Sequence, residues 1–195
     1  TRILNFLLGG VEKEYYETVD FRIIKGIEPN LAYRLSTLMS ILYPHETFSS
    51  NKFDWVKEML IKLKYDKKTI NHIIKMLQGY KEIINMDITP FAMRKLLGAM
   101  GMKDAKQCLK WYQNAHQVHG NASVFQRANL AANLLKEIIK RNDPVYYKDL
   151  AINGNHILQA VIGIKDARLV GEALDLAYKW VLEKPERNNP ECLIA

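Results

Sequence analysis

Apolar residues recur at intervals of three and four along most of this chain, and no run of them alternates convincingly. Ile70, Ile73, Ile74 and Leu77 form one such stripe, with Lys68, Asn71, Lys75 and Gln78 on the opposite face. Val124, Ala128, Ala131, Leu135 and Ile138 form another, and Val170, Ala173, Leu174, Ala177, Trp180 and Val181 a third. That period puts a continuous apolar face on an α-helix, whereas a half-buried strand needs a period of two. The chain is predicted to be all-α, an irregular assembly of about eight to ten helices without a sheet.

Helix stops and starts divide the pattern. A first helical stretch covers residues 11 to 25, and Pro29 suits the first turn of a second that runs to Tyr43, where Pro44 stops it. After the polar loop HETFSSN, Phe53, Val56, Leu60 and Leu63 mark a third helix. Asp66 can cap a fourth. NMDITP is a break, and Thr89-Pro90 restarts a helix in cap-then-proline order. GMKD at 101 to 104 is a turn before a helix from Lys103 to about His116. The Val124 stripe ends near Asn142 with Pro144 beyond it, INGN is a turn, and the last long helix closes before Pro185. The seam between subdomains is placed at residues 85 to 90, giving regions 1–87 and 88–195.

At 195 residues the chain can bury a core without staples. Its apolar runs are broken well short of the ~18 residues of a membrane helix, and no signal peptide is visible. Two distant cysteines, Cys108 and Cys192, suit a reducing cytosol. The net charge of +7 is concentrated: residues 57 to 110 hold twelve Lys/Arg against five Asp/Glu, so the remainder balances. Such a window fits a polyanion such as RNA, an anionic membrane surface, or simply a solvated lysine-rich face. The candidate RNA-binding residues are Lys62, Lys64, Lys67, Lys68, Lys75, Arg94, Lys95, Lys103, Lys106 and Lys110. Tyr65, Tyr80, Trp111 and Tyr112 lie in or beside the window and are candidates either for stacking on bases or for core packing.

Catalytic and metal chemistry finds little support. His116 and His119 share a helix face, but Cys108 is about two turns from His116 and reaches poorly, so no zinc set is assembled. Cys108 on an amphipathic helix reads as core. No catalytic residue and no metal ligand is assigned.

The text from Pro144 onward is the most distinctive. DLAINGN (Asp149 to Asn155), Gly171 in the following helix, and EKPERNNPECLI resemble the end of bacterial CCA-adding tRNA nucleotidyltransferases, a family related to poly(A) polymerases. IKLKYDKKTINHIIKML and KLLGAMG at 95 to 101 are similar to phrases of its body and tail. The resemblance implies a helical body over 1–87, phosphohydrolase-like but stripped of metal ligands, and a helical tail over 88–195. It implies tRNA as partner, held on its acceptor and T-arm side, no membrane, and a cytoplasmic setting. In that family two carboxylates in an Asp-x-Asp pair hold Mg²⁺ while CTP and ATP are added, and a Glu-Asp dipeptide opens the nucleotide-selecting motif. This chain has no Asp-x-Asp, no Gly-Ser and no Glu-Asp, so those parts and their cofactors are expected in an N-terminal catalytic domain. A poly(A) polymerase relative and a helical protein-interaction module are the alternatives.

Four residues of the distinctive text carry structural expectations. Gly154 is predicted to turn left-handed after Asn153, and Asn155 to cap the next helix. Gly171, in mid-helix, is predicted to permit close helix packing that offsets its poor propensity. Where the family often has Asp after NGN, this chain has His156.

Overall fold

The computed structural model describes residues 24, 27–42, 50–119, 122–160 and 167–194. Among these there are nine α-helices, two short 3₁₀ turns and no strand. The helices are α1 (Leu31–Leu42), α2 (Ser50–Lys62), α3 (Lys67–Asn85), α4 (Pro90–Met100), α5 (Met102–His119), α6 (Ala122–Arg141), α7 (Gly154–Ala160), α8 (Ala167–Glu183) and α9 (Pro190–Ile194). The all-α expectation holds. The helix expected over residues 11 to 25 and the stop at Pro44 lie outside the described residues.

Local chemistry explains the boundaries. Asp66 accepts the Thr69 N–H at 3.0 Å, and Thr89 Oγ1 accepts that of Ala92 at 3.2 Å with Pro90 just inside the helix. Both are ordinary N-caps. Pro29 stands outside α1, however. The cap is Asn30, whose Oδ1 accepts the N–H of Ala32 at 2.9 Å and of Tyr33 at 3.3 Å. The break before α5 is a single residue, Gly101, at φ 77°. There glycine's freedom is required, because a side chain would be strained at that angle.

The chain forms two compact units, Thr1–Met86 with Met102–Leu130, and Asp87–Gly101 with Ala131–Ala195. The first crossing falls inside the 85–90 break; the second and third, at Gly101 and Leu130, make each unit discontinuous. In the first unit α3 is central and packs on α1, α2 and α5. Ile73, Met76, Leu77, Tyr80 and Ile83 of α3 are fully buried there. Ser36 and Thr37 are buried on α1, and each hydroxyl donates back to the carbonyl four residues earlier, Ala32 at 2.6 Å and Tyr33 at 2.9 Å, with the Ile73 carbonyl of α3 a further 3.4 Å neighbour of Ser36 Oγ. Arg127 closes the far end of α3: its Nη2 donates to the carbonyls of Ile83, Ile84 and Met86, which that helix cannot itself satisfy.

In the second unit α8 packs on α4 and α7, and α7 on α9. Its polar centre is Arg94. Nε donates to Asp143 Oδ2 at 2.8 Å and Nη1 to the Leu182 carbonyl at 2.8 Å, tying α4, the chain beyond α6 and the end of α8 together. Gly98, inside the KLLGAMG phrase, allows the backbone of α4 to lie against the Val145 carbonyl and the Tyr178 hydroxyl that donates to it at 2.8 Å.

Candidate nucleic-acid interface

The lysine-rich window resolves into groups with different surroundings. Lys62 is the last residue of α2, Lys64 lies in the turn after it, and Lys67 and Lys68 open α3. All four are exposed, and among the described residues their side chains have no carboxylate within ion-pair distance. The acid among them is otherwise engaged. Hydrogen bonds from the Thr69 hydroxyl at 2.5 Å and the Thr69 N–H hold the Asp66 carboxyl below the usual carboxylate range. The turn from 62 to 68 therefore presents four cations and one committed anion.

One turn further along α3 the charges are paired. Asp104, in the first turn of α5, receives Tyr33 Oη, His72 Nε2 and Lys75 Nζ, each at 2.9 Å. The rings of Tyr33 and His72 meet edge-to-face at 5.3 Å. Burial pushes the Asp104 carboxyl up, but the hydrogen bonds from Lys75, His72 and Tyr33 outweigh it and hold the carboxyl below its ordinary range. The Tyr33 phenol is pushed up by burial and then by the bond to Asp104. Lys103 reaches Glu28 at 3.3 Å, and Gln107 donates to the same carboxylate at 2.8 Å. Lys106 and Lys110 are exposed, and with Lys103 they line one face of α5 at spacings of three and four. Sequence reading did not find the Asp104 constellation. His72 and Lys75 share a helix face, but Tyr33 and Asp104 are 71 residues apart and no local pattern joins them.

Arg94 leaves the RNA-binding set. Its side chain is 6% exposed, that of its partner Asp143 is 5%, and its guanidinium is used within the fold. Lys95 is exposed, in the second unit. Tyr80 and Trp111 stack on each other at 3.7 Å, each 1% exposed, and Tyr112 is buried beside them. Base stacking by these three is thus excluded by burial, because the helical spacing that placed them near the lysines also turns them inward. Tyr65 alone of the four keeps a partly exposed ring. Cys108 is buried and its thiol is pushed up by that burial, which suits packing rather than nucleophilic work. His116 and His119 fall within α5, with side chains outside the described set; among the described residues no three His, Cys, Asp or Glu side chains gather as a metal site.

The distinctive C-terminal text proves to be a fastening. Asp149 Oδ2 accepts the N–H of Val145 at 3.1 Å and of Tyr146 at 2.9 Å. Asn188 accepts the Ala151 N–H and donates to the Asp149 carbonyl, both at 2.8 Å, so DLAINGN and the tail phrase are stitched to each other. Three expectations are corrected. Gly154 has no positive φ; it opens α7, and a Cβ there would meet Val170 Cγ1 at 3.3 Å. The cap is Asn153 rather than Asn155: its Oδ1 accepts from Asn155 N at 3.0 Å and His156 N at 3.3 Å. Gly171 meets no described atom within 4 Å, so no close packing offsets it. His156 Nδ1 accepts the Asn153 N–H at 3.0 Å, completing a reciprocal capping box and placing the proton of the neutral ring on Nε2. Histidine thus does here what a carboxylate does in the usual box.

Fold and surface together define two all-helical units, the first with a lysine-rich turn and the second fastened internally through its C-terminal text. The model of the family described as tRNA nucleotidyltransferase domain 2 matches residues 48–195, from just before α2 to the end of the sequence. The chain belongs to that family. No curated protein and no solved structure is a significant match to it. No helix among the described residues is long and apolar enough to cross a membrane.

Proposed function

We propose that this chain is the tRNA-holding part of a CCA-adding tRNA nucleotidyltransferase. The observation that carries the reading is the cluster of exposed lysines at the α2–α3 turn, with no ion pair among the described residues, in a chain of this family. A-form RNA is gripped through its backbone and shape, for which exposed ammonium groups on rigid helices suffice. Each phosphate they neutralise releases condensed counterions. Lys62, Lys64, Lys67 and Lys68 are the principal contacts on this reading, with Lys106 and Lys110 extending the face. The Asp104 constellation holds Lys75 and ties α1, α3 and α5 to one another. The acceptor and T-arm side of tRNA is the segment held.

Nucleotide addition is assigned to a separate catalytic domain that uses Mg²⁺ with CTP and ATP, since this sequence has no Asp-x-Asp pair to hold the metal ions. The test is competition binding at fixed salt. Folded tRNA is expected to displace a labelled tRNA from the chain at lower concentration than an unstructured RNA of equal length. Equal displacement would contradict recognition of the folded arm and favour a poly(A) polymerase relative. Appearance of CMP or AMP on tRNA incubated with the chain, Mg²⁺, CTP and ATP would refute the assignment of chemistry elsewhere.

A further inference from the structure

Two described residues other than glycine have a left-handed backbone, Lys64 at φ 60° and Asn142 at φ 54°. They occupy the same place at the ends of two helices. After α2, Lys64 N donates to the Ile61 carbonyl at 2.9 Å and Tyr65 N to Leu60 at 3.1 Å. After α6, Asn142 N donates to Ile139 and Asp143 N to Ile138, both at 3.1 Å. This is the pair of bonds that closes a helix over a left-handed residue, a position that glycine fills best and asparagine next. Asn142 obeys that preference. Lys64 breaks it, since its Cβ crowds the following carbonyl oxygen in this conformation.

The same turn breaks a second rule. Lys67 and Lys68 are the first two residues of α3, where the positive end of the helix dipole disfavours cations. Asp66, the ionised cap of α3, offsets the second departure in part, but it is bonded to Thr69, and no carboxylate lies within ion-pair distance of these ammonium groups among the described residues. Two unrelated local preferences are thus overridden within one turn, each time by a lysine. Conflicts of that kind gather where a sequence serves binding as well as folding.

Building on the tRNA-holding reading above, we propose that the turn from Lys62 to Lys68 is a phosphate clamp on the RNA backbone in which Lys64 is a direct contact. The left-handed residue fixes where the lysine leaves the turn, so its ammonium is delivered from a bonded backbone rather than from a mobile loop. Its positive charge, not its fit to the fold, is the reason for lysine at this position.

The test uses the full 195-residue chain and tRNA, with affinity measured as a function of salt and stability measured by thermal unfolding. Lys64→Gly is expected to raise Tm by about 2–4 °C, the range for a relieved strain in a chain of this size. It is also expected to lower the log–log salt slope by about 1, the signature of one lost phosphate contact. Lys64→Arg is expected to retain the slope. Asn142→Gly relieves the equivalent position outside the clamp and is expected to leave the slope unchanged. Wild-type chain that binds tRNA with a slope Lys64→Gly does not change would overturn this inference and leave the tRNA reading standing. Wild-type chain without salt-dependent binding would overturn both.

Discussion

Gly98 and Gly171 are both mid-helix glycines in the second unit, and they respond oppositely to a methyl group. A Cβ at Gly171 enters open space, so Gly171→Ala is expected to stabilise the chain by about 1 kcal/mol through helix propensity alone. At Gly98 the Cβ runs into the Val145 carbonyl and the Tyr178 hydroxyl, and a main-chain oxygen cannot swing aside. Gly98→Ala is therefore expected to destabilise by about 1–3 kcal/mol, in the range for overpacked sites. Chemical denaturation of the two variants checks both signs; a gain at Gly98 or a loss at Gly171 contradicts the packing described. Sequence pattern singled out the wrong one. Gly171 stood out as a breaker in a regular stripe, whereas the crowding at Gly98 comes from Val145 and Tyr178, distant in the chain.

Between elements, two polar contacts hold separate helices together and differ in burial. Arg94 and Asp143 are almost fully buried, so truncating the arginine leaves the carboxylate with only the half-exposed Arg141, which reaches it at 3.2 Å, and leaves the Leu182 carbonyl without its donor. Arg94→Ala is expected to cost about 3 kcal/mol, the lower end of the range for a broken buried pair because Arg141 still faces the carboxylate, and replacing both partners by apolar residues to recover part of it. A double variant no more stable than the single one would show that the charge is not the cause. Asp104 offers a pH test in the first unit. Its folded-state carboxyl is held below the unfolded range of about 4. Its contribution to stability is thus complete above that range and lost as pH falls through the lower folded value. Unfolding midpoints followed downward from neutral pH should fall less steeply for Asp104→Asn than for the parent chain, and parallel curves would contradict the role. Helix boundaries set by Asp66, by Thr89-Pro90 and by the stop near Asn142 were legible, because a cap needs only neighbours three residues away. Arg94 was misjudged as a surface cation for the converse reason. Its partners Asp143 and Leu182 are brought to it by the fold, and nothing in its own segment distinguishes it from Lys95.

For the whole molecule, the all-α architecture followed from a period that repeats over most of the chain, and family membership from the phrases now seen as fastenings around Asp149, Asn153 and Asn188. The lysine window was legible as composition but not as a surface. The structure removes Arg94, pairs Lys75 and Lys103, and leaves the α2–α3 turn as four exposed lysines close in sequence with no ion pair among the described residues. The central claim is that this cluster grips tRNA phosphates. Its most direct test is the salt dependence of tRNA binding after Lys62, Lys64, Lys67 and Lys68 are changed together to glutamine. The control changes Lys136, Lys140 and Lys179, exposed lysines outside the window. With about 0.7–0.9 of log–log slope per phosphate contact, loss of all four is expected to reduce the slope by about 3 to 4, and the control by much less. A slope that the four substitutions leave unchanged would contradict the account, and the basic turn would then be a solvated surface.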